Sequence, residues 1–357
     1  MFLAQFYVAQ LSGTGKTVMA APTSSAVNLE SLRTAAQRRP IRGISAVLLP
    51  FTLSGTIDWD AFAAHVARTA AAGIVPAVNM DTGYVHLLDE ATRRQVLTVA
   101  RGAIGASRPG DLVAGACVVD SAGDRFDEAA YLALCEPILA AGATPVIFPS
   151  SGLNAGSEVD VVGRIERLAA RLPAFIGFEL SPLFVPSGRI LSLQAWRDLL
   201  HIPNCHGAKH SSLSRRLEWQ RLALRDRERP EFRVYTGNDL AIDMVRYGSD
   251  WLLGLSTAAP EAFAKRDAWW TAGDDRCDEL DDALQALGDF AFRRPIPAYK
   301  HSLAQVLLLR GWIGCDEPCP GSPRRPDSDR EILAAILDRI AAAMAAETSA
   351  AQYMLGT

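Results

Sequence analysis

The chain has 357 residues, 49% of them hydrophobic and 21% charged, with a net charge of -4. Such a balance describes an ordinary globular protein and excludes a strongly basic nucleic-acid binder, since no basic run stands out. No stretch reaches 18 uninterrupted apolar residues, so no membrane span is expected. Six scattered cysteines (Cys117, Cys135, Cys205, Cys277, Cys315, Cys319) do not make a disulfide framework, and a reducing, cytoplasmic setting is expected.

Residues 1–40 carry Ala, Ser, Thr and Arg without a clear period. They are expected to form a poorly ordered extension, with a short helix at 29–37. Gly13-Thr14-Gly15-Lys16-Thr17 resembles part of a phosphate loop, but Gln10 stands where such a loop needs glycine. From residue 43 short apolar runs alternate with segments of helical period, the pattern of βαβ units and a parallel sheet. Strands are expected at 44–51, 75–80, 112–119, 145–149, 175–180, 206–210, 233–236 and 251–256. Helices are expected near 58–72, 89–105, 127–141, 157–171, 192–200, 214–225, 239–247 and 259–271. Asp58, Asp89 and Asp239 stand where N-caps are wanted, and Gly73, Gly142 and Gly248 where left-handed C-caps are wanted. Eight strand–helix units over residues 41–273 predict a (β/α)8 TIM barrel. Residues 274–357 then form a C-terminal helical appendage.

The residue of most chemical interest is Lys209. Only four of the 36 basic residues are lysines: Lys16, Lys209, Lys265 and Lys300. Arginine keeps its proton in proteins, whereas a neutral lysine amine attacks carbonyls to give a Schiff base. Lys209 ends the sixth predicted strand and enters a Ser-Ser turn, and strand carboxyl ends are where barrel enzymes gather their chemistry.

Several motifs together resemble the dihydrodipicolinate synthase / N-acetylneuraminate lyase family. Gly43–Phe51 followed by Gly55-Thr56-Ile57-Asp58 is similar to its opening, and Asp81-Thr82-Gly83 stands at its Gly-Thr-Thr-Gly-Glu loop. Gly207-Ala208-Lys209 matches its Gly-Ile-Lys, and Thr236-Gly237-Asn238-Asp239 its Ser-Gly-Asp-Asp. Residues 256–260 match the loop after its last strand, and Pro295–Lys300 resembles its helical tail. The likeness covers about residues 43–340. It implies a class I lyase or aldolase that holds a 2-oxo acid or aldehyde, often pyruvate, as an imine on Lys209. The iminium is an electron sink, so a neighbouring carbon–carbon bond can form or break, or water can leave, as in a dehydratase of sugar-acid-type substrates. Reaction near neutral pH needs the amine pKa to fall by about 3 units, roughly 4 kcal/mol, which desolvation can supply. No cofactor and no metal are expected, and the partners expected are the small-molecule substrate and further copies of the chain, as a homodimer or homotetramer.

Departures from the family pattern bear on the substrate. The family tyrosine at the end of strand 5 is absent from Phe178-Glu179-Leu180-Ser181-Pro182. One alignment puts Glu179 there, as a proton shuttle or as a rim carboxylate paired with an arginine; an ungapped count puts Ser181 there. Tyr84 could supply the missing phenol or pack on the rim. Asp81, Thr82 and Gly83 are candidate substrate-binding residues, yet Asp81 would repel a carboxylate, which suggests a hydroxyl or amine on the substrate at that place. Asn238 and Ser256 are further binding candidates, Asp239 a helix cap or a ligand, and His86, His210 and Arg189 weaker ones. Phe148-Pro149-Ser150-Ser151 lacks the tyrosine that relatives send into a neighbouring subunit. A barrel that has lost catalysis and serves as a binding subunit is the alternative from another class.

Overall fold

The structure is a computed structural model and describes residues 27–105 and 110–346. The phosphate-loop-like Gly13–Thr17 and most of the expected extension lie outside the described residues. Eight parallel strands form a closed barrel: β1 (Gly43–Ala46), β2 (Val75–Val78), β3 (Val113–Ala116), β4 (Thr144–Ile147), β5 (Phe175–Leu180), β6 (Cys205–Ser211), β7 (Arg233–Thr236) and β8 (Asp250–Leu253). β1 closes on β8 with Ile44 opposite Leu252. The predicted (β/α)8 barrel is therefore present, with most strands shorter than the apolar runs that announced them.

Side chains alternate across a strand, so every second residue faces the barrel axis. Ile44, Ala46, Ala77, Val113, Val146, Ile176, Tyr235 and Leu252 pack together as that interior, distinct from the larger apolar layer between sheet and helices. Burying a side chain of this size stabilises by about 1.5–3 kcal/mol, which makes the interior a packed floor and not a pore. Local signals hold as expected at most ends. Asp58 caps the helix Trp59–Ala71 by accepting Ala61 N–H at 3.0 Å, and Asp89 caps Glu90–Ile104 through Thr92 N–H at 2.7 Å. Gly73, Gly142 and Gly248 have φ of 81°, 67° and 103°, the left-handed region that favours glycine.

The short helix expected at 29–37 is present as Leu29–Ala36, capped by Asn28, with Leu32 and Ala36 buried, and Arg39 and Arg233 both pair with the fully buried Asp250 at the amino end of β8. This stretch is therefore part of the packed barrel base. Asp239 caps no helix: the segment after β7 is a 3-10 turn over Ile242–Tyr247, and the Asp239 carboxylate instead accepts Leu255 N–H at 2.8 Å.

The tail forms helices Arg276–Ala291, Tyr299–Leu309 and Asp329–Ala345. It lies over the carboxyl ends of the strands. Gln285 donates to Asp239 O, Arg310 to Ala258 O at 3.0 Å, and Cys315 Sγ to Phe51 O at 3.1 Å, which ties it to the segments after β7, β8 and β1.

Candidate active site

Lys209 sits on β6 opposite Phe178 of β5 and Tyr235 of β7, the two interior aromatic residues that flank it. Its Nζ lies 4.8 Å from the centre of the Phe178 ring, a cation–π distance. Phe178 in turn meets Phe148 edge-on at 5.1 Å. Two glycines are required by close packing at the barrel mouth: a Cβ on Gly237 would come within 2.6 Å of Lys209 Cε, and one on Gly254 within 2.7 Å of Thr82 Oγ1.

The low-dielectric surroundings act on the charge of Lys209. Burial disfavours the ammonium and lowers its pKa, and the charges of Asp239 and Asp81 offset this in part. Asp239 moves the other way. Burial raises its carboxyl to about 6, against the hydrogen bonds from Leu255 and Gly254 N–H and the charge of Lys209. An amine and a carboxyl driven toward each other in pKa, at the carboxyl ends of β6 and β7, form an acid/base pair suited to near-neutral pH.

The loop after β2 carries a second cluster. Asp81 accepts Tyr299 Oη–H at 2.8 Å and pairs with Lys300 Nζ at 3.0 Å, while Tyr299 Oη and Thr82 Oγ1 lie 3.1 Å apart. Partial desolvation opposes the charge on Asp81, whose side chain is half-exposed, but Lys300, His86 and the two hydrogen bonds outweigh it and hold the carboxyl at about 2. Tyr299 is buried, which together with the neighbouring carboxylate of Asp81 pushes its phenol well above the usual range. It is therefore a neutral hydrogen-bond donor. Gly83 lies in the same turn, where a Cβ would come within 3.2 Å of Val47 O. His86 Nδ1 is 3.3 Å from Cys117 Sγ, and burial raises that thiol to about 12, so the pair holds no thiolate nucleophile.

Other sequence candidates stand elsewhere. Glu179 pairs with His210, the outward neighbour of Lys209, and its carboxylate accepts from His210, from Arg221 at 2.5 and 3.0 Å and from Leu191 N–H at 2.8 Å. Lys209 and Phe178 face inward, so Glu179 and His210 face the helix Arg215–Glu228 by strand alternation. A proton-shuttle role for Glu179 does not fit that placement; the reading of a carboxylate paired with an arginine does. Ser181 Oγ accepts Leu183 N–H, and Arg189 donates to Asn154 O and Gly156 O. Tyr84 is also displaced from the expected role. It packs edge-on against Phe51 at 5.6 Å within the outer apolar layer, under the Lys300 ammonium. Asn238 Oδ1 accepts Leu240 N–H, and Ser256 bonds Ser45 Oγ at 2.8 Å inside the β1–β8 wall.

Tyr299 is the site residue that strand-by-strand reading misses, because it comes from the helical tail some 90 residues beyond Lys209 in sequence. The one signal available was the rare Lys300 beside it. Among the described residues no group of three or more His, Cys, Asp or Glu side chains could hold a metal ion.

No protein-family model matches the chain, and no curated protein matches it. Solved structures do. A monomeric dihydrodipicolinate synthase variant superimposes with a TM-score of 0.71 at 18% identity, covering 84% of this chain and 96% of its own. The Thermotoga maritima dihydrodipicolinate synthase gives 0.70 at 17% identity, over 85% and 99% of the two chains. The chloride-inhibited Acinetobacter baumannii enzyme, complexed with pyruvate, gives 0.68 at 19% identity, over 85% and 99%. The chain thus has the fold of the dihydrodipicolinate synthases, at low sequence identity.

Proposed function

We propose that the chain is a divergent lysine-imine lyase of the dihydrodipicolinate synthase / N-acetylneuraminate lyase kind, in which Lys209 forms a Schiff base with a small carbonyl compound. The observation that carries this is the interior placement of a desolvated Lys209 at the carboxyl end of β6, coupled by charge to a carboxyl near 6. The 2-oxo acids are the substrate class suggested by the resemblance and by the pyruvate bound in the Acinetobacter baumannii neighbour.

The steps follow from the groups present. The neutral Lys209 amine attacks the carbonyl carbon, and loss of water from the carbinolamine leaves an iminium. In retro-aldol cleavage Asp239, ionised above about 6, takes the proton of the substrate hydroxyl as the carbon–carbon bond breaks and an enamine forms; in dehydration it takes the proton from the carbon next to the iminium to give the enamine, then returns it to the hydroxyl that leaves as water. Protonation of the enamine and hydrolysis return the amine. The neutral Tyr299 phenol and Thr82 hydroxyl orient the substrate at the opposite side of the mouth. Retro-aldol cleavage and dehydration both use this iminium. A cytoplasmic setting and a homodimer or homotetramer remain part of the reading, the latter open to sedimentation analysis.

Incubation with a set of 2-oxo acids, 2-hydroxyketones and aldehydes followed by borohydride reduction is expected to leave added mass on the peptide containing Lys209. Absence of an adduct with every carbonyl compound, on folded protein, would remove the proposal.

A further inference from the structure

Hydrogen bonds at the β2 loop have a direction, and that direction selects a substrate. Asp81 is ionised and so can only accept. Both of its oxygens are engaged, one by Lys300 Nζ at 3.0 Å and the other by Tyr299 Oη–H at 2.8 Å. A phenol has one hydrogen, and Tyr299 has placed it on Asp81. Its remaining contact, with Thr82 Oγ1 at 3.1 Å, must therefore be one in which the threonine donates. The threonine also has one hydrogen. What Thr82 still offers to an incoming molecule is lone pairs.

Gly254 follows β8 directly and packs closely on this pair: a Cβ there would reach within 2.7 Å of Thr82 Oγ1 and 3.3 Å of the Tyr299 ring, so the position takes only glycine. Lys300, the cation at this rim, does not compensate for a second anion, since it already balances Asp81.

We infer that the Asp81–Tyr299–Thr82 chain presents an acceptor to the substrate, so that the group next to the reacting carbonyl is a hydrogen-bond donor such as a hydroxymethyl, not a carboxylate. This rests on the imine reading above and narrows its substrate to 2-hydroxyketones or 2-hydroxyaldehydes. A carboxylate oxygen at Thr82 would meet lone pairs and stand beside the anionic Asp81. A hydroxyl would donate to Thr82 and extend a chain of donors ending on Asp81.

Hydroxyacetone and pyruvate test this as a pair, because they differ in having a hydroxymethyl or a carboxylate beside the same methyl ketone. Each is incubated at equal concentration with the full chain, reduced with borohydride, and the adduct on the Lys209 peptide is quantified by mass. Hydroxyacetone is expected to be trapped about tenfold or more in excess of pyruvate, the size of effect that one mismatched hydrogen bond at a desolvated site produces. Tyr299→Phe frees the Thr82 hydrogen and is expected to move the ratio toward pyruvate. Thr82→Val removes the acceptor and is expected to lower hydroxyacetone trapping selectively. The ratio on the unaltered protein decides the matter even where a variant does not fold. Pyruvate trapped in preference overturns the inference and leaves the imine reading standing, whereas no adduct with either compound on folded protein counts against both.

Discussion

A lysine amine in a barrel interior is under two opposed influences, and the residues around Lys209 set the balance. Removal from water favours the neutral, nucleophilic form, while the carboxylates of Asp239 and Asp81 favour the ammonium. Of the two, only Asp239 titrates in an accessible range, being raised from 3.8 to about 6. Turnover is expected to rise as pH increases through about 6, where Asp239 becomes the ionised base. Asp81, held at about 2, contributes no limb to that profile. Asp239→Asn should remove the acid limb and slow turnover by about 10²- to 10⁴-fold, as measured by pH–rate profiles of the two proteins. Stability carries the opposite sign. A folded-state pKa above the unfolded value means the folded chain binds the proton more tightly, so the contribution of Asp239 is present below about pH 4 and is lost as pH rises through about 6.

At the scale of elements, β6 divides its chemistry between its faces. Lys209 points inward, and His210 outward to a buried group with Glu179 and Arg221. The Arg221 guanidinium sits over the Trp196 ring, 4.9 Å from its centre, and Arg221 also donates to Leu191 O. Ser212 Oγ lies 2.5 Å from His210 Nε2 and accepts Ser214 N–H at the start of the next helix. The group fastens β5, β6 and the helix Arg215–Glu228 to one another behind the amine. Neutralising one member leaves the others as unpaired buried charge. Glu179→Gln is expected to lower stability by about 3–5 kcal/mol in denaturant titration, while the fraction that remains folded still forms the Lys209 adduct. A selective loss of adduct with unchanged stability would restore Glu179 to the chemistry. The β2 loop shows the converse arrangement: its polar groups are completed by a different element, the helix beginning at Tyr299, so neither segment alone composes that side of the mouth.

Across the whole molecule, the C-terminal helices act as part of the barrel. Leu303, Val306 and Leu307 are fully buried, as are Leu333 and Leu287. Several side chains of this size, each worth about 1.5–3 kcal/mol, together match the entire net stability of a typical domain. A chain ended after Arg294 is expected to lose cooperative thermal unfolding by circular dichroism, and with it Tyr299 and Lys300 at the mouth. A truncated protein that melts as sharply as the full chain would show instead that the tail is dispensable for the fold.

The eight-fold barrel and the position of Lys209 were legible in the sequence for local reasons. Apolar runs, capping aspartates such as Asp58 and Asp89, and the glycines at 73, 142 and 248 encode their own elements through contacts only a few residues apart. A rare lysine at a strand end needs no partner to be noticed. The groups around it were less legible, because strand alternation and remote contacts decide them. One position along β5 separates Phe178, against the amine, from Glu179, on the far side of the sheet. Asp239 reads as a cap until β8 arrives beside it, and Tyr299 meets Thr82 across 217 positions of chain. Local sequence determined the scaffold and the place of Lys209 in it, the proposed nucleophile. Which carboxylate is free to take a proton, and which hydroxyl has already given its hydrogen away, was decided only when the closed barrel and its tail brought distant side chains into one desolvated space.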